Sequence, residues 1–199
     1  MRARMGLVSA GIRCELREVV LREKPTEMIV ISPKATVPVL QLADGTVIDE
    51  SLEIMLWALG QRDPEGWLKP ASASAEEAFA LIQQTETQFK PHLDRYKYPD
   101  RYPGTSAAEH RAAGCKFLNV LEERLVVMPY LFGRQAGIAD MAIFPFVRQF
   151  ENTDRDWFQT SPYGHTQAWL TKLLDGIHFG IAMKKYPQWQ SGNEAVFFP

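Results

Sequence analysis

The sequence predicts a small α/β domain followed by an all-helical one, on three observations. Residues 1–60 alternate short helical and extended patterns around an Asp-Gly turn. The stretch QRDPEGWLKPASAS, residues 61–74, changes texture to prolines, a glycine and small polar residues, and reads as a linker. From residue 75 to 199 the periodic segments follow helical spacing, and no further strand pattern is persuasive.

Each element has a local reason. Residues 1–10 are strong helix formers and Gly11 is a good C-terminal stop. CELREVVL, residues 14–21, alternates enough for a half-buried strand. KPTEMIVI follows as a short helix, against the β-branched preference of Ile29, Val30 and Ile31. Residues 37–42 and 46–48 are strands flanking ADG, where Gly45 is free to take positive φ. Residues 51–60, SLEIMLWALG, form an amphipathic helix closed by glycine.

In the second half, AEEAFALIQQTETQFKPHLDRY sets Phe79, Ile82, Phe89 and Leu93 on one helical stripe. Ser106 followed by Glu109 suggests a capping box at the next helix start. GIADMAIFPFVRQF is nearly all apolar apart from Asp140, which predicts a buried helix, and TQAWLTKLLDGI is an amphipathic helix stopped by Gly176. The aromatic tail, with Trp189, Phe197 and Phe198, is expected to fold back over the helical domain.

Composition narrows the function classes. A hydrophobic share of 46% and a charged share of 23% are those of an ordinary globule with a core. A net charge of −2 gives no electrostatic reason to expect nucleic acid or an anionic membrane as partner. No apolar run approaches the roughly 20 residues needed to cross a bilayer. The basic start MRARMGLVSAGIRC has only a short apolar part, broken at Gly11 and Arg13, so a cytoplasmic protein is expected rather than a secreted one. Cys14 and Cys115 are far apart and form no Cys-x-x-Cys pair, which suits a reducing compartment and argues against a structural zinc site.

Two features carry ligand chemistry. Pro38 sits one residue into an apolar run where a strand wants a backbone donor, which an edge position tolerates. Asp49, Glu50 and Ser51 stand at a helix start, where they serve as caps or complement the helix's positive end. The unpaired N–H groups of such a helix start also bind carboxylate.

The stretch PKATVPVLQLADGTVIDES, an α/β half of this size and GIADMAIFPF within a helical half together resemble the cytosolic glutathione transferase superfamily over nearly the whole chain. The resemblance implies a thioredoxin-like N-terminal domain followed by an all-helical C-terminal domain. It implies a cis bond before Pro38 that turns the N–H and C=O of Val37 outward, so that glutathione pairs with it as an added antiparallel strand. It implies that Glu50 and Ser51 hold the γ-glutamyl amino and carboxylate groups. Lys34 is either a partner for the glycyl carboxylate or a solvated lysine. GIADMA resembles the family's helix-start motif with Gly137 at the position of the usual hydroxyl, which weakens the cap by a few tenths of a kcal/mol.

The family reaction is attack of the glutathione thiolate on an electrophile, or thiol-disulfide exchange where the catalytic residue is Cys. The resemblance thus implies glutathione as co-substrate, a small hydrophobic electrophile or a disulfide as second substrate, and commonly a homodimer. A non-catalytic binding or scaffolding role on the same fold is the third reading. The family's catalytic Tyr, Ser or Cys lies after the first strand, and the bacterial Cys-Pro-Tyr-type turn directly precedes a helix beginning like MRARMGL. The catalytic residue is therefore unknown here, and the expectation is that upstream residues supply the first strand and this turn.

No other residue matches the nucleophile position. Ser9 sits late in the first helix and Cys14 starts a strand, with Arg13 and Arg17 near it in sequence as the only hint of thiol activation. Cys115 falls mid-helix. His92, His110, His165 and His178 show no metal-ligand spacing. Arg2 and Arg4 are expected on the solvated side of the first helix. Tyr96, Tyr98 and Tyr102, interleaved with bases, either pack locally or line a second-substrate cleft.

Overall fold

The computed structural model describes residues 1–69 and 74–199, so residues 70–73 of the expected linker lie outside the described residues. The chain forms two compact units, Met1–Glu65 together with Gly176–Pro199, and Gly66–Asp175. The last residues thus group with the first unit, whereas the sequence had assigned all of 75–199 to one helical domain.

In the first unit, α1 (Arg2–Ala10) ends at Gly11, whose φ of 66° is the left-handed cap expected of it. Strand β1 (Cys14–Glu15), helix α2 (Thr26–Ile31), the hairpin β2 (Leu40–Gln41) and β3 (Val47–Ile48), and helix α3 (Ser51–Gln61) follow in order. The unit is completed by α10 (Ile177–Ala182) and strand β4 (Phe197–Phe198). The hairpin turn is closed by the Leu42 N–H donating to the Thr46 carbonyl at 2.8 Å, and the Asp44 carboxylate accepts the Thr46 N–H at 2.9 Å. Gly60 lies inside α3, which runs to Gln61, so glycine does not close this helix as expected. Helices α1 and α3 pack closely at Gly6, where an added Cβ would come within 2.8 Å of the Met55 Cα. Any side chain there would force the two helices apart.

All strands are shorter than their sequence patterns. A pattern marks which residues tolerate extension, but a ladder also needs a partner. That partner for β1 comes from the last residues, expected with the helical domain. Strand β4 pairs antiparallel with β1, Cys14 opposite Phe198 and Glu15 opposite Phe197. The Leu16 N–H donates to the Val196 carbonyl at 2.7 Å, and the Trp189 N–H to the Glu18 carbonyl at 2.9 Å. Phe198 is 0% exposed and joins Leu7, Ala10 and Ala58 in a core to which Leu16, Leu40 and Trp57 add their partly buried faces.

Arg4 fastens this arrangement rather than facing solvent. It forms an ion pair with Glu18, donates to the Ala182 carbonyl at the end of α10, and lies over the rings of Tyr186 and Phe198. Arg2 is also buried.

The second unit comprises α4 (Ala75–Gln84), a π-helical turn (Thr85–Phe89), α5 (Lys90–Lys97), a 3-10 turn (Pro99–Arg101), α6 (Ala107–Val127), α7 (Ile138–Glu151), α8 (Arg155–Thr160) and α9 (Gly164–Leu174). The capping box expected at Ser106 is not made. It forms instead at Ser74, which accepts the Glu77 N–H while Glu77 accepts the Ser74 N–H. Ile82, Phe89 and Leu93 are each 1% exposed, on the predicted stripe. A π-helical turn, Thr85–Phe89, lies between Ile82 and Leu93.

Helix α7 is buried almost throughout, as its composition predicts. Its Asp140 is 1% exposed and accepts three donors: Gly137 N–H at 2.9 Å, Leu131 N–H at 3.0 Å and Trp169 Nε1–H at 2.8 Å. Gly137 has no side-chain oxygen, so only the reciprocal half of a capping box exists. Burial pushes the Asp140 carboxyl up from its ordinary value while the three donors oppose it. No helix among the described residues is long and apolar enough to cross a membrane.

Two stability outcomes follow from these contacts. Phe198→Ala removes a fully buried ring and should lower unfolding free energy by about 3 kcal/mol in a urea titration. Asp140→Ala leaves three donors without an acceptor and should cost about 3 kcal/mol or more by the same measurement.

Candidate functional site

The loop after α2 and the start of α3 meet on the first unit. The chain leaves α2 at Ser32 and turns through Ala35, whose φ of 51° is unusual for a residue with a side chain. It then reaches Val37, and the Val37–Pro38 peptide is cis. Val37 is 46% exposed, and among the described residues its N–H and C=O enter no backbone–backbone hydrogen bond. The β2–β3 hairpin follows and returns the chain to Asp49, Glu50 and Ser51.

Lys34 joins the two segments. Its Nζ lies 3.1 Å from Asp49 Oδ1 and 3.2 Å from Glu50 Oε1, and Ser32 Oγ donates to Asp49 Oδ2 at 3.1 Å. The bond to Asp49 raises the Lys34 ammonium above its ordinary value, and Lys34 in turn holds the Asp49 carboxyl below its own. Glu50 is the residue before α3, and no side chain caps that helix. The first-turn N–H groups of α3 therefore have no intrahelical partner and carry the positive end of its dipole.

The structure thus brings Lys34, Glu50 and the Ser51 helix start together, beside the chain that carries Val37 and Pro38. Asp49, read from sequence as a cap candidate, anchors Lys34 and Ser32 instead. Ser32 was missed, because only the fold sets it against a residue that far along the chain. Chemically, the site offers unpaired backbone groups, a carboxylate, an ammonium and a helix N-terminus.

The candidate nucleophiles lie elsewhere. Ser9 is buried on α1, and its hydroxyl has no hydrogen-bond partner among the described residues. Burial pushes the Cys14 thiol up from its ordinary value, and the opposing cation is Arg4, not its sequence neighbours. Arg13 and Arg17 lie over the rings of Phe197 and Trp189. Tyr96 is buried against Phe150, while Tyr98 and Tyr102 are faced by Lys97, Arg101 and Arg95 from their own segment. His178 meets Glu65, and the backbone N–H of His165 donates to Glu122.

The Lys34–Asp49 tether has a definite pH sign. A depressed carboxyl contributes stability that is present above its ordinary pKa of 3.8 and is lost as pH falls through the lower folded value. Lys34→Ala should raise the Asp49 midpoint towards 3.8, read from its side-chain carbonyl resonance in a carbon NMR titration.

Sequence models of two glutathione S-transferase domains match the chain, the N-terminal domain over residues 1–59 and the C-terminal domain over residues 105–172. No curated protein matches it. Among solved structures, a ternary complex of BphK, a bacterial glutathione transferase, aligns with a TM-score of 0.75 at 22% identity, covering 92% of each chain. A class Gtt2 glutathione S-transferase of Vibrio parahaemolyticus aligns at 0.73 with 20% identity, over 91% of this chain and 90% of that one. Glutathione S-transferase-I bound with lactoylglutathione aligns at 0.73 with 22% identity, over 91% of both. These likenesses concern the fold, and the domain matches name the family. With a thioredoxin-like unit ahead of a helical one, and both domain sequences recognised in order, the chain belongs to the glutathione transferase superfamily.

Proposed function

We propose that this chain binds glutathione at Val37, Pro38, Lys34, Glu50 and Ser51, and that the bound thiol is conjugated to a small hydrophobic electrophile. The observation that carries the reading is the unpaired, exposed Val37 backbone beside a charged cluster at an uncapped helix start. An extended tripeptide pairs its cysteinyl unit with Val37. Its γ-glutamyl ammonium meets Glu50, and its carboxylate meets Ser51 and the first-turn N–H groups of α3. Lys34, which bridges Asp49 and Glu50 in the free chain, takes the glycyl carboxylate by swinging its ammonium off both contacts towards the other end of the ligand. Two free thiols suit the reducing cytoplasm in which such a reaction runs.

Glutathione titrated into the full chain at millimolar concentration should raise the melting temperature, since a ligand that binds only the folded state stabilises by mass action. Glu50→Gln should weaken binding about tenfold, the loss of one charge-assisted hydrogen bond. No stabilisation by glutathione would sink the proposal. Binding without turnover of an activated aryl halide would leave a glutathione-binding protein and remove the conjugation step. Release of glutathione disulfide from a mixed-disulfide substrate would replace conjugation by thiol-disulfide exchange.

A further inference from the structure

Two histidines face each other across the second unit. His92 on α5 and His110 on α6 approach through their Nδ1 atoms at 2.9 Å. Their ring centroids are 5.2 Å apart. That separation exceeds the nitrogen distance by about two ring radii, so the two nitrogens point along one line. A cation held by both would need the two lone pairs to converge on a third point. The collinear arrangement is that of an N–H···N hydrogen bond, which holds one proton.

The far side of His110 decides which ring carries it. The His110 Nε2 atom is buried and has no hydrogen-bond partner among the described residues. A hydrogen there would be an orphaned buried donor, which folded proteins tolerate less often than an under-satisfied acceptor. His110 therefore carries its hydrogen on Nδ1 and donates, and His92 accepts on Nδ1 with its own hydrogen on Nε2.

A second proton has no acceptable place. Any cationic state that keeps the bond puts a hydrogen on the buried His110 Nε2. Protonating His92 at Nδ1 instead sets two donors head to head. The charges that reach His92 are Arg95 from α5 and Lys116 from α6, both cations, and they lower its affinity for a proton as burial and His110 do. Among the described residues, no carboxylate is one of the groups that act on His92; Asp94 of α5 pairs with Lys90, and Asp154, before α8, with Arg111 of α6.

We infer that His92 and His110 form a neutral, single-proton latch between α5 and α6 that acid releases. The sign follows from linkage. A histidine held below its ordinary pKa of 6.5 contributes stability above that value, lost as pH falls through the folded pKa. Acid thus loosens the α5–α6 seam.

Nitrogen-correlated imidazole NMR on the full-length protein tests this. The expected result is His110 in the Nδ1–H form and His92 in the Nε2–H form at neutral pH, with a His92 midpoint below 6.5. Backbone amides of α5 and α6 around the pair should lose hydrogen-exchange protection about tenfold in step with that titration, and His92→Gln should abolish the acid-dependent loss. A His110 Nε2–H tautomer, a His92 midpoint at or above 6.5, or an undiminished acid response in His92→Gln would each overturn the latch. So would added zinc shifting both Nδ1 resonances at neutral pH, which would make the pair a metal site. Should the variant fail to fold, the tautomers of the unaltered protein decide.

Discussion

The Arg4 guanidinium is the junction on which the N-terminal unit depends. It reaches Glu18 beyond β1, the Ala182 carbonyl at the end of α10, and the faces of Tyr186 and Phe198. A planar cation with several donors can satisfy a carboxylate and a helix C-terminus and still present its face to aromatic rings, which a lysine cannot. The carbonyls at the end of α10 carry the negative end of a helix dipole and favour a cation there. Arg4 thereby holds segments from both ends of the chain against α1, and Phe198 fills the space beneath.

Around that core the two halves use buried polarity differently. In the second unit Asp140 is almost fully enclosed and each of its contacts is structural, joining the start of α7 to Leu131 and Trp169. In the first unit the charged groups at the start of α3 remain exposed, linked to one another through Lys34. Enclosed charge with all partners satisfied fixes a fold. Exposed charge with exchangeable partners suits a ligand that brings charges of its own, because the contacts broken and made are of similar strength.

Much of this was readable from residues alone. The helix at Met1–Ala10 with its Gly11 cap, the Asp-Gly hairpin and the buried α7 follow from local chemistry, and so does the grouping of Glu50 with Ser51. One failure is local: Ser74 and Ser106 both begin a Ser-x-x-Glu pattern, yet only Ser74 closes its box. The others share a cause, which is that the deciding partner is distant in sequence. Asp49 has the composition of a cap but meets Lys34. Phe197 and Phe198 are too few to show a period, and their strand exists because β1 offers an open edge. Of the proposed ligand site, the residue types were legible and the convergence of Lys34 with Asp49 was not.

The pairing of β4 with β1 sets an order of events during synthesis. The residues of the helical unit run without interruption from 66 to 175, so all of them are made before α10 and β4. Residues 1–65 of the N-terminal unit are made ahead of it, yet the core of that unit waits for Phe198, which is made after the whole of the helical unit. Domains usually close in the order they are made. Here the earlier-made unit cannot close until segments made after the helical unit arrive, so α1 and α3 spend most of translation lacking part of their cover. That interval is when chaperone binding or aggregation would act on this protein.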